Sequence, residues 1–296
     1  MPKFDSDLML EIIEKDKIQF LHIVPPIIIG LVNNPNVDKY DLSSLRGIRT
    51  ASAPMGKDHL NKFYRIFKDI GVVRAYGLTE TSPTLTNSFM HHPNDGSSGV
   101  LLSNVEAKVI DKQGNLLGYN QEGELCFRGP NIMLGYLNNP EANRLSLDKD
   151  GFFHTGDTGF VDKQGNFHIV GRIKDLIKYK GLQVAPPELE GLLLDHPDVV
   201  DSAVIGIDSE ELATELPKAY ITLATKYNNL TEQQKTQKCL EVRKWVDEQV
   251  APHKRLRGGV EIINNIPKNP SGKVLKGILR EMEKDKMKIK SLKPSL

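Results

Sequence analysis

The chain has 296 residues, 39% of them hydrophobic and 26% charged, with a formal net charge of +1. Those values suit an ordinary globular protein with room for one large domain or two to three smaller ones, and they do not favour nucleic acid or an anionic membrane as main partner. No apolar run approaches the ~18 residues of a membrane span, and Cys126 and Cys239 stand far apart without metal-ligand spacing, as fits a reduced intracellular compartment.

The first hundred residues alternate between helical and strand patterns. Leu8, Ile12 and Ile13 give a helical apolar stripe, and Ile18 to Val24 reads as a short buried strand stopped by Pro25-Pro26. Gly47 to Thr50 reads as a second strand running into Ala51-Ser52-Ala53-Pro54. A helix with Leu60, Phe63, Tyr64 and Phe67 on one side follows, then a strand over Val72 to Ala75 that runs into Tyr76-Gly77-Leu78-Thr79-Glu80-Thr81. This order implies a parallel sheet, whose ligands bind beyond the carboxyl ends of its strands.

From Gly99 to Val170 short strands and tight turns take over, which predicts a small antiparallel or barrel-like subdomain. The pentapeptide Asp-Lys-Gln-Gly-Asn occurs at Asp111–Asn115 and again at Asp162–Asn166, flanked by β-formers as a hairpin requires. The remainder reads as α+β. Pro187 opens a helix with Leu189, Leu192 and Leu193 on one face, and Val199 to Ile207 and Lys218 to Leu223 are strands. Thr231 and Gln234 form a capping box for a helix carrying Cys239, Val242, Val246 and Val250. A last helix places Leu275, Ile278, Leu279 and Met282 on one stripe, and the closing run of lysines from Lys284 to Lys293 reads as a solvated terminus.

Four segments carry candidate chemistry, and each has a plainer explanation. Tyr76 to Thr81 is a glycine-containing turn, or a phosphate–magnesium site built from a hydroxyl and a carboxylate. His154-Thr155-Gly156-Asp157-Thr158-Gly159 is an Asx-type turn, or a place where Asp157 accepts both hydroxyls of a ribose. Gly171 to Gly181, rich in Arg172, Lys174, Lys178 and Lys180, is a polar linker or a working surface. Ile266 to Lys273 ends in Gly272-Lys273, but Pro267 and Val274 exclude a Walker phosphate loop.

Taken in order with Gly123–Pro130 and Leu134–Ala142, these segments resemble the adenylate-forming (AMP-binding) superfamily, which includes acyl-CoA synthetases, 4-coumarate–CoA ligases, beetle luciferases and nonribosomal adenylation domains. Leu176 to Gly181 and Gln183-Val184-Ala185-Pro186 are similar to the coumarate-ligase and luciferase-like branch. The resemblance implies an α/β parallel-sheet remnant of a large domain at residues 1–98, its β-rich subdomain at 99–171, and a mobile carboxyl-terminal α+β domain at 172–296.

It also implies roles. Ala51, Ser52, Ala53 and Pro54 line the adenine and acyl side; Tyr76 stacks on adenine, with Gly77 and Leu78 beside it. Thr79 binds the α-phosphate, Glu80 binds Mg²⁺, and Asp157 and Arg172 hold the ribose. Lys174 is the hinge, Lys273 reaches the α-phosphate during adenylation, and Lys178, Lys180, Gly181 and Gln183 face the site during thioester formation. The implied reaction converts ATP and a carboxylic acid to an acyl-adenylate and passes the acyl group to coenzyme A.

The family's glycine-rich phosphate loop, Ser/Thr-Gly-Thr-Thr-Gly-x-Pro-Lys-Gly, does not occur in the 296 residues. By that resemblance about 250 amino-terminal residues are expected to be missing, at the usual domain scale, and adenylation by the chain alone is expected to be slow or nil. Two other readings stand beside the ligase: a non-catalytic fragment or binding protein, and a luciferase-like monooxygenase. The cytoplasm is the expected compartment, since Pro294-Ser295-Leu296 is not the Ser-Lys-Leu peroxisomal address.

Overall fold

The computed structural model of the chain describes residues 5–32, 34–51, 57–90, 96–269 and 272–292. The chain divides into two units, Met1–Ile173 and Lys174–Leu296.

The first unit begins with α1 (Ser6–Asp16), capped by Asp5, whose Oδ1 accepts from the Leu8 N–H at 3.0 Å. The inward stripe of α1 is Met9, Leu10 and Ile13, one step away from the expected one, and Leu8 is 40% exposed. Next come β1 (Phe20–His22), α2 (Pro25–Val32), β2 (Gly47–Thr50), α3 (Lys57–Ile66) and β3 (Gly71–Tyr76). Strands β1, β2 and β3 pair in parallel, with Phe20 opposite Gly47 and Ile48 opposite Val72. The expected buried strand at Ile18–Val24 is a three-residue edge strand instead, with Phe20 52% exposed. Pro25-Pro26 starts α2 as well as ending β1, because proline fits the first helical turn, where no N–H partner is required. Leu10, Ile13, Ile28, Ile48, Leu60, Phe63 and Val72 form the core between helices and sheet.

Two short strands extend that sheet, β4 (Thr86–Asn87) antiparallel to β3 and β5 (Val100–Leu101) antiparallel to β4. A four-stranded antiparallel meander follows: β6 (Glu106–Ile110), β7 (Gly123–Arg128), β8 (Phe153–Val161) and β9 (Phe167–Arg172), with α4 (Pro140–Ser146) between β7 and β8. Tyr76, the last residue of β3, and Leu78, just past it, pack on a core of Leu85, Leu125, Phe127 and Phe167. The end of β3 is thereby fastened to the second sheet.

In the second unit, β10 (Ile177–Tyr179) and β11 (Leu182–Val184) form a hairpin, followed by α5 (Pro186–Asp195). The long strands β12 (Val199–Ser209) and β13 (Thr214–Leu223) are antiparallel, α6 (Glu232–Asp247) follows, β14 (Gly259–Ile262) adds parallel to β13, and α7 (Lys276–Leu292) ends the described chain. Period-two alternation sends Val204, Ala219 and Ile221 into one core with α5 and α6, and Ala203, Ile205 and Tyr220 into another with Leu279 of α7. Thr231 and Gln234 make the expected reciprocal cap, at 2.9 and 3.3 Å.

The stripe of α7 differs from the sequence expectation. Leu275 and Ile278 are 38% and 43% exposed, while Leu279 and Glu283 are buried. The inward face carries Lys276, Leu279, Arg280, Glu283 and Lys286 because the opposing elements offer charge partners: Lys276 meets Glu190 at 2.7 Å, Arg280 meets Asp175 at 2.9 Å, and Glu283 meets Lys218 at 2.6 Å. Paired charges satisfy a buried face that apolar periodicity alone assigns to leucines.

Candidate functional site

The segment after β3 folds back on itself. A side chain at Gly77 would put a Cβ 1.8 Å from the Pro83 carbonyl oxygen, so only glycine permits the fold. The Leu78 N–H donates to Thr81 Oγ1 at 2.9 Å, and the fully buried Thr81 hydroxyl lies 2.9 and 3.0 Å from the Leu78 and Pro83 carbonyls. Asn131 closes the loop from outside, donating both amide hydrogens, to Thr81 O and Thr84 O, at 2.9 Å each. Thr79 is left exposed at the tip. The Tyr136 hydroxyl donates to Glu80 Oε1 at 2.9 Å. Burial and that bond raise the Tyr136 pKa, so it stays a donor. Glu80 Oε2 takes no hydrogen bond among the described residues. One partly exposed carboxylate with an oxygen left over fits Mg²⁺, which keeps waters and substrate phosphates as its other ligands.

The His154–Gly159 segment is a bulged strand and not an Asx-type turn. Glu124 pairs with Thr158 and Cys126 with His154, so β8 has Thr155, Gly156 and Asp157 where β7 has Leu125 alone. Extra residues of this kind bend a strand and re-aim a side chain. Three bonds hold the bulge: Thr155 Oγ1 donates to Leu125 O at 2.7 Å, Gly156 N–H to Glu124 Oε1 at 3.1 Å, and Asp157 N–H to Thr155 Oγ1 at 3.0 Å. Gly156 has φ +67°, a left-handed value that favours glycine.

Asp157 is buried at the exit of this bulge. Its Oδ2 accepts from the Tyr76 hydroxyl at 2.8 Å, and its Oδ1 lies 3.2 Å from Arg172 Nε on the neighbouring strand, where Arg172 is its register partner. Burial, with the Asp157 charge behind it, pushes the Tyr76 phenol far above its ordinary value and keeps it protonated. Three of the expected nucleotide residues, from β3, β8 and β9, therefore form one connected cluster. Ala51 follows the end of the adjacent β2, while Ser52, Ala53 and Pro54 lie outside the described residues.

The remaining candidates belong to the second unit, whose first residue is Lys174, exposed within a 3₁₀ turn over Ile173–Asp175. In the β10–β11 hairpin, Lys178 stands opposite Gln183 and both are exposed, while Ile177, Tyr179 and Val184 are buried on the other face. Lys180 and Gly181 form its two-residue turn at φ +48° and +82°, the sign a type I′ turn demands at both positions.

Lys273 sits on a turn used elsewhere in the chain. The Asn269 N–H donates to Lys273 O at 2.9 Å, Gly272 N–H to Asn269 O at 2.9 Å, and Lys273 N–H to Asn269 Oδ1 at 2.9 Å, with Gly272 at φ +83°. The same three bonds occur in the repeated pentapeptides, with Asp111 and Asp162 in the place of Asn269. A further copy, from Asp148 to Phe152, was hidden in the sequence because its third and fifth residues differ, Asp150 for Gln and Phe152 for Asn. The scaffold is an acceptor side chain first and a left-handed glycine fourth; Lys273 is the fifth residue, exposed. Sequence reasoning missed Asn131 and Tyr136, whose partners lie 50 and 56 residues away.

Comparison with known proteins gives one family match within each of the two units. The model described as "AMP-binding enzyme" matches residues 1–137, and "AMP-binding enzyme C-terminal domain" matches 188–273. The chain is 42% identical over 286 residues to 4-coumarate–CoA ligase 1 of Glycine max, covering 95% of this chain and 94% of that one. It is 42% identical over the same length to 4-coumarate–CoA ligase 1 of Arabidopsis thaliana but covers 49% of it, so the chain spans about half of that relative. Among solved structures, ATP-bound MatB from Rhodopseudomonas palustris has TM-score 0.81 at 32% identity, covering 96% of this chain and 54% of that one. An anthranilate CoA ligase in complex with anthranoyl-AMP has TM-score 0.84 at 26% identity, covering 95% and 53%. The chain belongs to the family of AMP-binding, adenylate-forming enzymes, whose parent activity is acid–thiol ligation.

Proposed function

We propose that this chain carries the adenosine-binding side and the mobile lysines of an ATP-dependent acyl- or aryl-CoA ligase. The observation that supports the reading most is the bulge that brings Asp157 against both Tyr76 and Arg172. A buried carboxylate fixed on two sides is pre-organised to take ribose hydroxyls, and the Tyr76 ring beside it offers adenine a face. Thr79 meets the α-phosphate from the loop that Asn131 holds, and Lys273 supplies positive charge as the acid attacks phosphorus and pyrophosphate leaves. Bound at Glu80, Mg²⁺ supplies further neutralisation of phosphate charge. Lys178, Lys180, Gly181 and Gln183 form the face presented during thioester formation, with Lys174 as the hinge between the two poses. The names of the relatives favour an aromatic, coumarate-like acid as the substrate.

The test is acid-dependent ATP–pyrophosphate exchange by this chain completed with the family's glycine-rich segment. Exchange stimulated by 4-coumarate more than by a fatty acid, and lost in Lys273→Ala, is the expected result. Full exchange in Lys273→Ala would remove that lysine's role, and stimulation by fatty acids alone would remove the aromatic assignment.

A further inference from the structure

The two strand pairs that flank the nucleotide bulge bring together a donor set that sequence spacing hides. Cys126 and His154 are direct cross-strand partners on β7 and β8, and Glu124 lies on the other flank. Glu124, Cys126 and His154 each direct one ligand atom inward, all within 4.8 Å of one another. Cys126 Sγ is 3.6 Å from His154 Nδ1, and His154 Nδ1 is 3.2 Å from Glu124 Oε2. Around a tetrahedral Zn²⁺, bond lengths of about 2.3 Å to sulfur and 2.0–2.1 Å to nitrogen and oxygen place S···N neighbours about 3.5 Å apart and N···O neighbours about 3.3 Å apart. Two of the three inter-ligand distances thus match edges of such a tetrahedron, and the third pair, sulfur and carboxylate oxygen, lies within 4.8 Å.

We propose that Glu124, Cys126 and His154 form a three-protein-ligand site for a zinc-class divalent cation, with water as fourth ligand, directly beneath the Gly156 bulge. Thiolate, imidazole and carboxylate are the ligands a borderline-soft cation takes. The other ring nitrogen, His154 Nε2, lies 3.7 Å from Asp148 Oδ2, too long for a hydrogen bond but close enough for that carboxylate to favour the imidazole's N–H on this side. Lys108 holds Asp148 at 2.5 Å, and with a divalent cation and the Cys126 thiolate the charges of Glu124, Asp148 and Lys108 balance to neutrality.

Cys126 is fully buried, but the Glu124 and His154 side chains are 21% and 25% exposed and provide the way in. Burial, then the Glu124 charge, pushes the Cys126 thiol up to about 12, which argues against a nucleophilic cysteine beside a histidine base. On binding, the S–H proton leaves to solvent and a sulfur–metal bond forms; no electron is transferred. Glu124 Oε1 keeps its bond to Gly156 N–H while Oε2 ligates, so the cation would brace the bulge without dismantling it. The cluster of His196, Asp198 and Glu241 differs, because the Lys238 ammonium already occupies it, 3.2 Å from Asp198 and 2.8 Å from Glu241.

The experiment titrates the reduced, metal-stripped 296-residue chain with Cd²⁺ and then Zn²⁺. One equivalent of Cd²⁺ should produce ultraviolet thiolate-to-metal charge-transfer absorption, removed by competing Zn²⁺, with one proton released. Cys126→Ser should abolish the band, His154→Gln should weaken Zn²⁺ binding at least tenfold, and Cys239→Ser should change neither. Should Cys126→Ser fail to fold by circular dichroism, Glu124→Gln and His154→Gln decide, and unchanged affinity in both overturns the site. A band that survives Cys126→Ser, a band lost in Cys239→Ser, or binding without any band also overturns it. None of these readouts depends on ligase activity.

Discussion

The Tyr76 hydroxyl donates to Asp157 Oδ2 at 2.8 Å, joining the last residue of the parallel sheet's third strand to a bulge in the meander 81 residues later. Their link both secures the two sheets and presents the carboxylate.

Removing that hydroxyl should weaken the fold while sparing the aromatic face. In Tyr76→Phe a buried carboxylate loses one of its donors, at a cost of about 1–3 kcal/mol. Urea unfolding should show a lower midpoint with an unchanged slope. Unchanged stability would mean that the bond does not persist in solution.

Acid should loosen the anchorage of α7. The Glu283 carboxyl lies at about 2, against an ordinary 4.5; burial works against its charge, but Lys218, Tyr220 and Lys286 outweigh burial. A carboxylate with a lowered folded-state pKa contributes stability above its unfolded value and loses it as pH falls through the folded one. The loss therefore runs from about pH 4.5 down to about 2 and amounts to at most ~3 kcal/mol. Glu283→Gln should flatten that pH dependence and cost at most about 3 kcal/mol at pH 7, because Lys218 loses one of its two carboxylate partners and keeps Glu261 at 2.9 Å. Equal urea midpoints for mutant and wild type at pH 7 would contradict the network.

The turn under Lys273 makes a separate claim. Gly272→Ala meets no steric neighbour but imposes φ +83° on a residue with a Cβ, a strain of about 1–2 kcal/mol. Exchange activity of the chain joined to the family's glycine-rich segment should fall at least tenfold while Asn269→Asp, which keeps the accepting oxygen, retains most of it. Comparable losses in both variants would show that the turn does not position Lys273.

Lys180 should trade stability for function. It holds φ +48° in the β10–β11 turn, where asparagine or glycine sits more easily. Lys180→Asn should raise stability by about 0.5–1 kcal/mol and lower thioester formation more than adenylation, measured as separate half-reactions. A variant less stable than wild type, or equally impaired in both half-reactions, would count against the assignment.

The parts of the fold legible in the sequence are those with local causes. Strand β2, helix α3, the Thr231–Gln234 cap and the two pentapeptide turns each depend on residues within a few positions of one another. The grouping of Lys178 with Gln183 came from the family resemblance; the β10–β11 hairpin that sets them opposite one another was not read from the sequence. What escaped depends on distant partners: the charged face of α7 requires Lys218, 65 residues before Glu283. Helix α4 buries no residue and carries no apolar stripe to announce it. The bulge at Thr155–Asp157 is a matter of register between strands, which composition does not encode, and the same register conceals the approach of Cys126 to His154.

The most direct test of the adenosine site is calorimetric titration of the 296-residue chain with a hydrolysis-resistant acyl-adenylate mimic. One site is predicted, weakened at least tenfold by Asp157→Ala and unchanged by Glu80→Gln, since the mimic lacks the leaving phosphates. No binding, or equal binding by wild type and Asp157→Ala, would contradict the account.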